Sequence, residues 1–160
     1  MKKPSNKSLA VILGSTTAAM ALLAITPRFE GTVLKTYADI GGVLSYCTGA
    51  TEDAQWGKTY TPEECKKQLD YDLARHAEGM LNCIHVELTE GQKIAFTDFT
   101  FNAGVSAFCS STMARKANLV DVMGSCAALT MWVKVGNKVV NGLVKRREAE
   151  RRICIQGSIK

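Results

Sequence analysis

Two carboxylic acids and a hydroxyl lie near the start of the chain: Glu30, Asp39 nine residues later, and Ser45 six residues after that. Nine residues turn an α-helix about half-way round, and an odd separation places two strand residues on opposite faces. Neither a continuous helix nor a continuous strand therefore brings the two acids together. Glycines follow both acids and allow the chain to turn, so we expect a turn to place both carboxyl groups around one site.

A glutamic acid, an aspartate and a hydroxyl in one site suit cleavage of a glycosidic bond. One carboxyl group protonates the leaving oxygen, and the other polarises water or supports the oxocarbenium-like transition state. Glu30 follows an apolar run, which favours its protonated form, whereas Asp39 in a polar hairpin should stay ionised. Ser45 returns beside Asp39 if the hairpin closes and could hold the water. Two acids at this spacing are common, so the pattern alone does not identify a catalytic pair.

A β-hairpin and a set of helices must position these residues. Residues 34–48 predict a short hairpin around the glycine turn, and the polar residues 49–60 predict a loop. The residues after 60 carry patterns typical of helices. This order predicts an α+β fold with a small β-hairpin lobe and a larger helical lobe.

Two capping boxes mark helix starts in the helical part. Thr61 and Glu64 form the first, and Thr89 and Gln92 form the second. The helix after Thr89 is apolar on most sides, which predicts the central core helix, and Gly104 ends it. Further helices are predicted over residues 110–118, 119–135 and 141–155.

The segment before the first acid has the composition of a membrane helix. Residues 8–27 carry no charge and follow a basic start; as one helix they would be about 30 Å long, the thickness of a hydrocarbon core. Small and hydroxylated residues dilute the segment, so it should hold in a bilayer weakly, with everything after Arg28 on the outer side. Ala19-Met20-Ala21 also fits a cleavage site, which leaves a cleaved signal peptide as the alternative.

The cysteine pattern indicates disulfides rather than a metal site. No CxxC pair occurs, and His76 and His85 lie at ligand spacing neither from each other nor from a cysteine, so we expect no metal. Behind an export segment, an even number of cysteines indicates three disulfides in an oxidising compartment. Six cysteines allow fifteen pairings, and their spacing does not choose among them. The six are Cys47, Cys65, Cys83, Cys109, Cys126 and Cys154.

The net charge of +5 is concentrated at the C-terminal end, where residues 134–160 hold eight basic residues against Glu148 and Glu150. Such a tail favours an anionic partner, which could be nucleic acid, acidic lipid or a polyanionic cell wall. A solvated helix face is the alternative. No recognised nucleic-acid-binding motif accompanies the tail, so we expect no binding to nucleic acid. Separately, we expect a monomer.

Three motifs resemble those of one known family. Glu, eight residues, Asp, five residues and a hydroxyl, within "FEGTVLKTYADIGGV" and the residues after it, are similar to the first motif of the phage lysozymes, the endolysins of glycoside hydrolase family 24. "FTFNAGVSAFCSSTMARKAN" resembles the central motif of that family, and "GLVKRREAERRICI" resembles its closing motif. The likeness covers nearly the whole chain beyond Arg28.

The resemblance implies a lysozyme-like fold with a cleft between the lobes and hydrolysis of the β-1,4 bond between N-acetylmuramic acid and N-acetylglucosamine in peptidoglycan, without a cofactor. By position, Glu30 is the general acid, Asp39 supports the attacking water, and Ser45 helps to place it. If the inverting course of the family holds, the carboxyl groups should be roughly 6.5–9.5 Å apart. The family usually has threonine where this chain has Ser45, and commonly a histidine near Ala50 or Thr51, which puts efficiency rather than reaction type in question.

Two further residues are candidates for substrate contact. Asn102 ends the core helix near the expected cleft, where it could bind an acetamido group or only cap the helix. Tyr37 is the second candidate, with a core position as its alternative. Arg146 and Arg147 could pack between the lobes or meet the negative charge of the wall.

The N-terminal segment resembles the signal-arrest-release segments of some endolysins. The chain then divides into a membrane segment, residues 1–27, and a lysozyme domain, residues 28–160. The host export machinery and inner membrane are its expected partners besides bacterial peptidoglycan, and release would deliver it to the periplasm. While residues 8–27 lie in lipid, Glu30 cannot dock on the helical lobe, which would keep the tethered form inactive.

The family also implies a disulfide pairing, in which Cys83 partners Cys109 and Cys126 partners Cys154. Cys47 and Cys65 are then left over as the third pair.

Two other functions compete with hydrolysis. A lytic transglycosylase needs the acid but produces an anhydro sugar, and the presence of Asp39 and the Ser45 hydroxyl favours hydrolysis. A catalytically inactive wall-binding module is the second alternative, and the intact acid, aspartate and hydroxyl argue against it.

Overall fold

The computed structural model describes residues 5–157, so Lys2, Lys3 and Lys160 lie outside the described residues. In chain order the elements are α1 (Leu9–Leu13), α2 (Thr16–Glu30), β1 (Val33–Ala38), β2 (Leu44–Cys47), α3 (Pro62–Asn82), α4 (Glu90–Ala103), α5 (Val105–Cys109), α6 (Thr112–Asn118), α7 (Val122–Ala127), a 3₁₀ turn (Ala128–Met131), β3 (Lys134–Val135), β4 (Lys138–Val139) and α8 (Asn141–Gln156). A small sheet lobe and a larger helical lobe result, which confirms the predicted α+β class.

The β lobe is an antiparallel hairpin of β1 and β2, in which Tyr37 lies opposite Ser45. Its small core contains the stacked rings of Tyr46 and Tyr60, whose centroids are 4.3 Å apart. The disulfide between Cys47 and Cys65 joins the end of β2 to the first turns of α3. This covalent link is important because a two-stranded hairpin is only marginally stable alone.

Helix α4 is the centre of the helical lobe, as its apolar pattern predicts. Phe96 and Phe99 are fully buried on it, and α8, α3 and α2 pack around it. Both predicted capping boxes are present, Thr61 with Glu64 at the start of α3 and Thr89 with Gln92 at the start of α4. Each box satisfies two backbone N–H groups that a helix start leaves without a partner.

The apolar N-terminal segment is part of this same core. Leu9, Leu13, Ala18 and Leu22 are buried with the α4 residues in one hydrophobic cluster. The segment does not form one continuous 20-residue helix, because Gly14 adopts a left-handed conformation (φ 64°) and separates α1 from α2. Within residues 5–157, none of the helices combines the length and the apolar character needed to span a bilayer.

The prediction of a single helix over residues 119–135 is wrong. Only α7 and a 3₁₀ turn form there, and Asp121 caps α7 by accepting a hydrogen bond from the Gly124 N–H at 2.8 Å. The chain then enters a second hairpin, β3 and β4, which turns at Gly136 in a left-handed conformation (φ 60°). Val133 and Val135 alternate with a lysine before a Gly-Asn turn, and valines follow that turn, a pattern that favours a hairpin over a helix.

Three disulfides are present, and all six cysteines take part in them. They join the pairs that the family resemblance implies: Cys83 to Cys109, Cys126 to Cys154, and Cys47 to Cys65. Two of them staple helices within the helical lobe, and the third ties the β lobe to α3.

Candidate active site

Glu30 is the last residue of α2, and Gly31 ends that helix with a positive φ of 75°. The N–H of Gly31 still donates to the Pro27 carbonyl at 2.8 Å, so the helix is closed at the acid rather than frayed. The chain then enters β1 at Val33. The Glu30 side chain is 28% exposed, which leaves it accessible at the edge of the helical lobe.

Arg146 of α8 forms an ion pair with Glu30. Its Nη1 group donates to Oε1 of Glu30, while its Nε group lies 3.1 Å from Oδ2 of Asp98 and 3.3 Å from Oε1 of Glu150. Burial alone would lower the pKa of Arg146, but the carboxylates of Asp98, Glu30 and Glu150 outweigh it and raise that pKa. The guanidinium therefore stays charged at the centre of three carboxyl groups. The apolar run before Glu30 and its position at a helix end are as the sequence predicts, but the sequence gives no sign of this arginine partner.

Asp98 and Glu150 complete the buried charge network behind Glu30, and both side chains are fully buried. The Thr26 hydroxyl donates to Oδ1 of Asp98 at 2.7 Å, which ties α2 to α4 one turn before Glu30. Burial raises the pKa of Glu150 to about 8; Arg147 acts in the opposite direction, and the neighbouring Asp98 carboxylate raises it further. Burial therefore favours the neutral form of Glu150, while the neighbouring guanidinium of Arg147 favours the ionised form.

Arg147 connects this network to Asn102. Its Nη1 lies 2.5 Å from each carboxyl oxygen of Glu150, its Nη2 donates to the Asn102 side-chain oxygen, and its Nε donates to the Trp132 carbonyl at 3.0 Å. The guanidinium also lies 4.6 Å from the centre of the Phe99 ring. The carbonyl end of the Asn102 side chain is thus fixed, and its NH₂ group is the part left to contact a ligand. Both arginines pack inside the protein.

A cleft of about 1120 Å³ separates the lobes and has Glu30 and Asn102 in its wall. Residues 48–52 form its β-lobe side, and one face of α3 with the end of α4 forms the other. His76 of α3 contributes to this wall; its Nδ1 lies 2.7 Å from the Asp72 carbonyl, and its ring lies 5.2 Å from that of Phe101. Burial raises the pKa of the Asp72 carboxyl. The cleft is large enough for several sugar units.

Asp39 and Ser45 meet in the turn of the β-hairpin. The backbone N–H of Asp39 and the hydroxyl of Ser45 both point to the Val43 carbonyl, at 2.9 and 3.4 Å, and Oδ1 of Asp39 accepts from the Val43 N–H at 2.8 Å. Asp39 is exposed, whereas Ser45 is only 3% exposed. Neither lies among the residues that line the cleft around Glu30. Tyr37 is half-buried directly across from Ser45 and does not line the cleft either.

Glu30 lies at a cleft wide enough for a polysaccharide, and Asp39 lies on the adjacent β lobe. Sequence reasoning found Glu30 and Asn102 in the cleft wall but missed Asp98 and Glu150. The closing motif carries Arg146 and Glu150 four residues apart, a spacing that puts them on one helix face. That spacing was a usable signal for a buried ion network.

Comparison with known proteins gives a consistent result. The family model described as phage lysozyme matches residues 27–150. A SAR-endolysin of bacteriophage PS34 is 39% identical over 157 residues, which covers 95% of this chain and 94% of that protein.

Solved structures of similar fold lead to the same comparison. A P22 lysozyme mutant superposes with a TM-score of 0.78 at 29% identity and covers 88% of this chain and 97% of that one. The active form of the P1 phage endolysin Lyz gives a TM-score of 0.77 at 18% identity, with 94% of this chain and 93% of that chain covered. The secreted inactive form of the same endolysin gives a TM-score of 0.54 at 15% identity, with 91% and 97% covered.

Proposed function

The chain belongs to the phage lysozyme family, and from this premise we propose that it hydrolyses the β-1,4 bond between N-acetylmuramic acid and N-acetylglucosamine in bacterial peptidoglycan and so lyses the host. The family model and the SAR-endolysin relative confirm the family that the motifs predict, and they support a glycosidase of the lysozyme type. The bond and the residues that cleave it are the proposal.

One observation carries the proposal: Glu30 stands in the wall of the cleft between the lobes while a buried arginine holds one of its oxygens. Arg146 also binds the buried Asp98, so its positive charge is divided between Glu30 and Asp98. Its second oxygen is left to carry the proton that a glycosidic oxygen needs on departure. Glu30 is thus the general acid.

Asp39 acts from the opposite lobe. Its Oδ1 is held by the Val43 N–H, and its Oδ2 orients the water that attacks the sugar. Ser45 shares the Val43 carbonyl with the Asp39 backbone and positions this turn. In the complex with a glycan, closure of the lobes brings the two carboxyl groups to roughly 6.5–9.5 Å, the separation that an inverting hydrolase needs.

The Glu30→Gln variant tests the proposal. Its side chain keeps the shape but supplies no acidic proton, so we expect the rate of peptidoglycan cleavage to fall by about 10²- to 10⁴-fold. Glu87→Gln, at an exposed position on the loop before α4, is the control and should cleave normally. Mass spectrometry of the muropeptides identifies the new end of each product.

The products separate the candidate functions. Reducing N-acetylmuramic acid ends support hydrolysis, whereas anhydro ends would identify a lytic transglycosylase. Release of no muropeptides by the wild type as well as by Glu30→Gln would leave only the wall-binding module, and unchanged cleavage by Glu30→Gln would remove Glu30 from the mechanism.

Residues 8–27 have a second role in this proposal: they hold the newly exported chain at the host inner membrane, facing the periplasm, until they are released. The support is the charge-free segment together with a relative named SAR-endolysin that aligns over 95% of the chain. In the folded state the same segment packs in the core, and Thr26 contacts Asp98 only four residues before Glu30. Lipid and core therefore compete for the residues that position the acid.

Because lipid and the protein core compete for residues 8–27, we expect the membrane-tethered chain to be inactive. The fold described here agrees better with the active form of the P1 endolysin than with its secreted inactive form, which supports an active docked state. Membrane and soluble fractions, separated before and after the membrane potential is collapsed, should differ strongly in cleavage per molecule. Equal specific activity in both fractions would contradict this part of the proposal.

A further inference from the structure

Five residues that line the cleft meet where α3 packs against the end of α4 and the start of α5, and we call them the cleft corner. They are His76, Gly79, Phe101, Asn102 and Val105. The His76 ring lies 5.2 Å from the Phe101 ring, at an angle of 60°. A Cβ atom at Gly79 would lie 2.6 Å from a methyl carbon of Val105, so the glycine lets the two helices approach closely. The corner therefore combines two polar side chains with an aromatic ring and methyl groups.

The contact of His76 with the backbone decides which of its ring nitrogens carries hydrogen. Nδ1 lies 2.7 Å from the Asp72 carbonyl, and because a carbonyl oxygen only accepts, Nδ1 is the donor. In the neutral ring Nε2 is then a hydrogen-bond acceptor. Among residues 5–157, no group donates a hydrogen bond to Nε2. His76 therefore offers an acceptor at the cleft wall.

Asn102 offers the opposite polarity on the other side of the corner. The Arg147 guanidinium donates to the Asn102 side-chain oxygen, and because a guanidinium accepts no hydrogen bond, this contact fixes which end of the amide is the oxygen. The NH₂ group is left as a donor, and Asn102 is exposed in the cleft wall. Asn102 directly follows Phe101, whose ring packs on His76. Donor and acceptor thus belong to the same corner.

A secondary amide matches this pair of groups. Its N–H donates and its carbonyl accepts, and in the trans form the two point in opposite directions. Such an amide can therefore bridge His76 on α3 and Asn102 on α4. An acetamido group adds a methyl, which suits the apolar surface of Phe101 and Val105. A hydroxyl group also donates and accepts, but it leaves that apolar surface uncovered.

We propose that His76 is a further substrate-binding residue, which selects sugars that carry an acetamido group. Nε2 of His76 accepts from the acetamido N–H, the NH₂ group of Asn102 donates to the acetamido oxygen, and the methyl group contacts Phe101 and Val105. This inference rests on the proposed function, since both sugars of that substrate are N-acetylated. It adds to that function a residue that distinguishes N-acetylated glycans from other sugar polymers.

The His76→Phe variant tests the inference, because it keeps a ring against Phe101 but removes the acceptor. Cosedimentation in the Glu30→Gln background measures binding to peptidoglycan and to peptidoglycan that a deacetylase has de-N-acetylated. We expect His76→Phe to bind N-acetylated peptidoglycan about three- to tenfold more weakly, the effect of one neutral hydrogen bond. On the de-N-acetylated form it should match its parent. His85→Phe replaces an exposed histidine on the loop before α4 and is the control, which should change neither affinity.

The His76→Gln variant separates hydrogen bonding from packing. Its amide oxygen can take the place of Nε2 as an acceptor, although the ring against Phe101 is lost. We expect His76→Gln to recover most of the affinity for N-acetylated peptidoglycan that His76→Phe loses. The opposite order, normal binding by the phenylalanine and weak binding by the glutamine, would show that His76 only packs against Phe101 and would overturn the inference.

The remaining outcomes separate this inference from the proposed function. Equal losses on both forms of peptidoglycan, or no loss on either, would overturn the role of His76 even if the wild type releases muropeptides. If the wild type releases none but His76→Phe still binds the N-acetylated form selectively less, the proposed function fails and the role of His76 stands.

Discussion

The two acids of the candidate site are supported in opposite ways. Glu30 is held from the helical lobe by Arg146, which also contacts the buried Asp98 and Glu150. Asp39 is exposed in the β lobe, and the contact described for its side chain is with the Val43 N–H, four residues away. Glu30 depends on residues from two other helices, α4 and α8, whereas Asp39 depends on its own turn.

This difference predicts how strongly each lobe depends on the contacts that support its acid. Buried charges that share one counter-ion depend strongly on each other, because removing one leaves the rest in a poorly solvated interior. A carboxylate in an exposed turn remains solvated and tolerates the loss of its contact. The helical lobe should therefore be sensitive to substitution and the β lobe tolerant, so substitutions at three positions should affect stability very differently.

Arg146→Met should have the largest effect, because it leaves the buried Asp98 carboxylate without its guanidinium partner. Loss of one partner from a buried ion network destabilises by about 3–5 kcal/mol, and urea unfolding at pH 7 measures it. Arg152→Met is the control on the same helix, where an exposed ion pair with Glu148 is lost, at about 0.5 kcal/mol or less. If both variants unfold at the same urea concentration, the network does not stabilise the fold.

Glu150→Gln should have an effect that depends on pH. Burial raises the pKa of Glu150 from 4.5 to about 8, so between these values the unfolded chain loses a proton that the folded chain keeps. This residue therefore makes the wild type less stable as pH rises through that window, by up to about 1.4 kcal/mol per pH unit. The glutamine has no such proton, so unfolding at pH 5, 6 and 7 should show its stability increasing relative to the wild type.

The control for this pH series is Glu148→Gln on the exposed side of α8, where Arg151 lowers the pKa of Glu148. It should not reproduce the trend between pH 5 and pH 7. A stability difference for Glu150→Gln that stays constant with pH would show that Glu150 is ionised in the folded state.

Asp39→Asn should have the smallest effect on stability, within about 0.5 kcal/mol, since the amide oxygen can still accept from the Val43 N–H. Asp39→Ala loses that contact and should cost about 0.5–1.5 kcal/mol. Both variants should cleave peptidoglycan slowly because neither has a carboxylate to orient water. Thermal unfolding and muropeptide release measure the two effects, and a normal cleavage rate for Asp39→Asn would remove Asp39 from the mechanism.

The helix starts and the first hairpin could be predicted because the relevant residues are close together in sequence. The capping boxes at Thr61 and Thr89 each span three residues, and the β1–β2 hairpin is defined by its own glycine turn. The helix predicted over residues 119–135 failed because apolar periodicity was given more weight than the Gly136 turn. A short apolar run fits a helix or a strand, and turn residues must then decide.

The candidate site was predictable only in part. Glu30 and Asn102 were identified from motifs, and both lie in the cleft wall. The partners that hold them were not, because Arg146 is 116 residues from Glu30 and Arg147 is 45 residues from Asn102. No local pattern encodes contacts at such separations.

The amino-acid sequence by itself determined the family, the caps, the first hairpin and the acids that could carry out the chemistry, since each depends on residue type and short spacing. Only the tertiary structure decided that the charge-free N-terminal segment packs around α4 and that Arg146 joins three carboxyl groups behind Glu30. The physical reason is the same in both cases. An apolar segment can be buried in lipid or in protein, and a charged side chain can be solvated or paired, so its environment is fixed only when distant parts of the chain pack together.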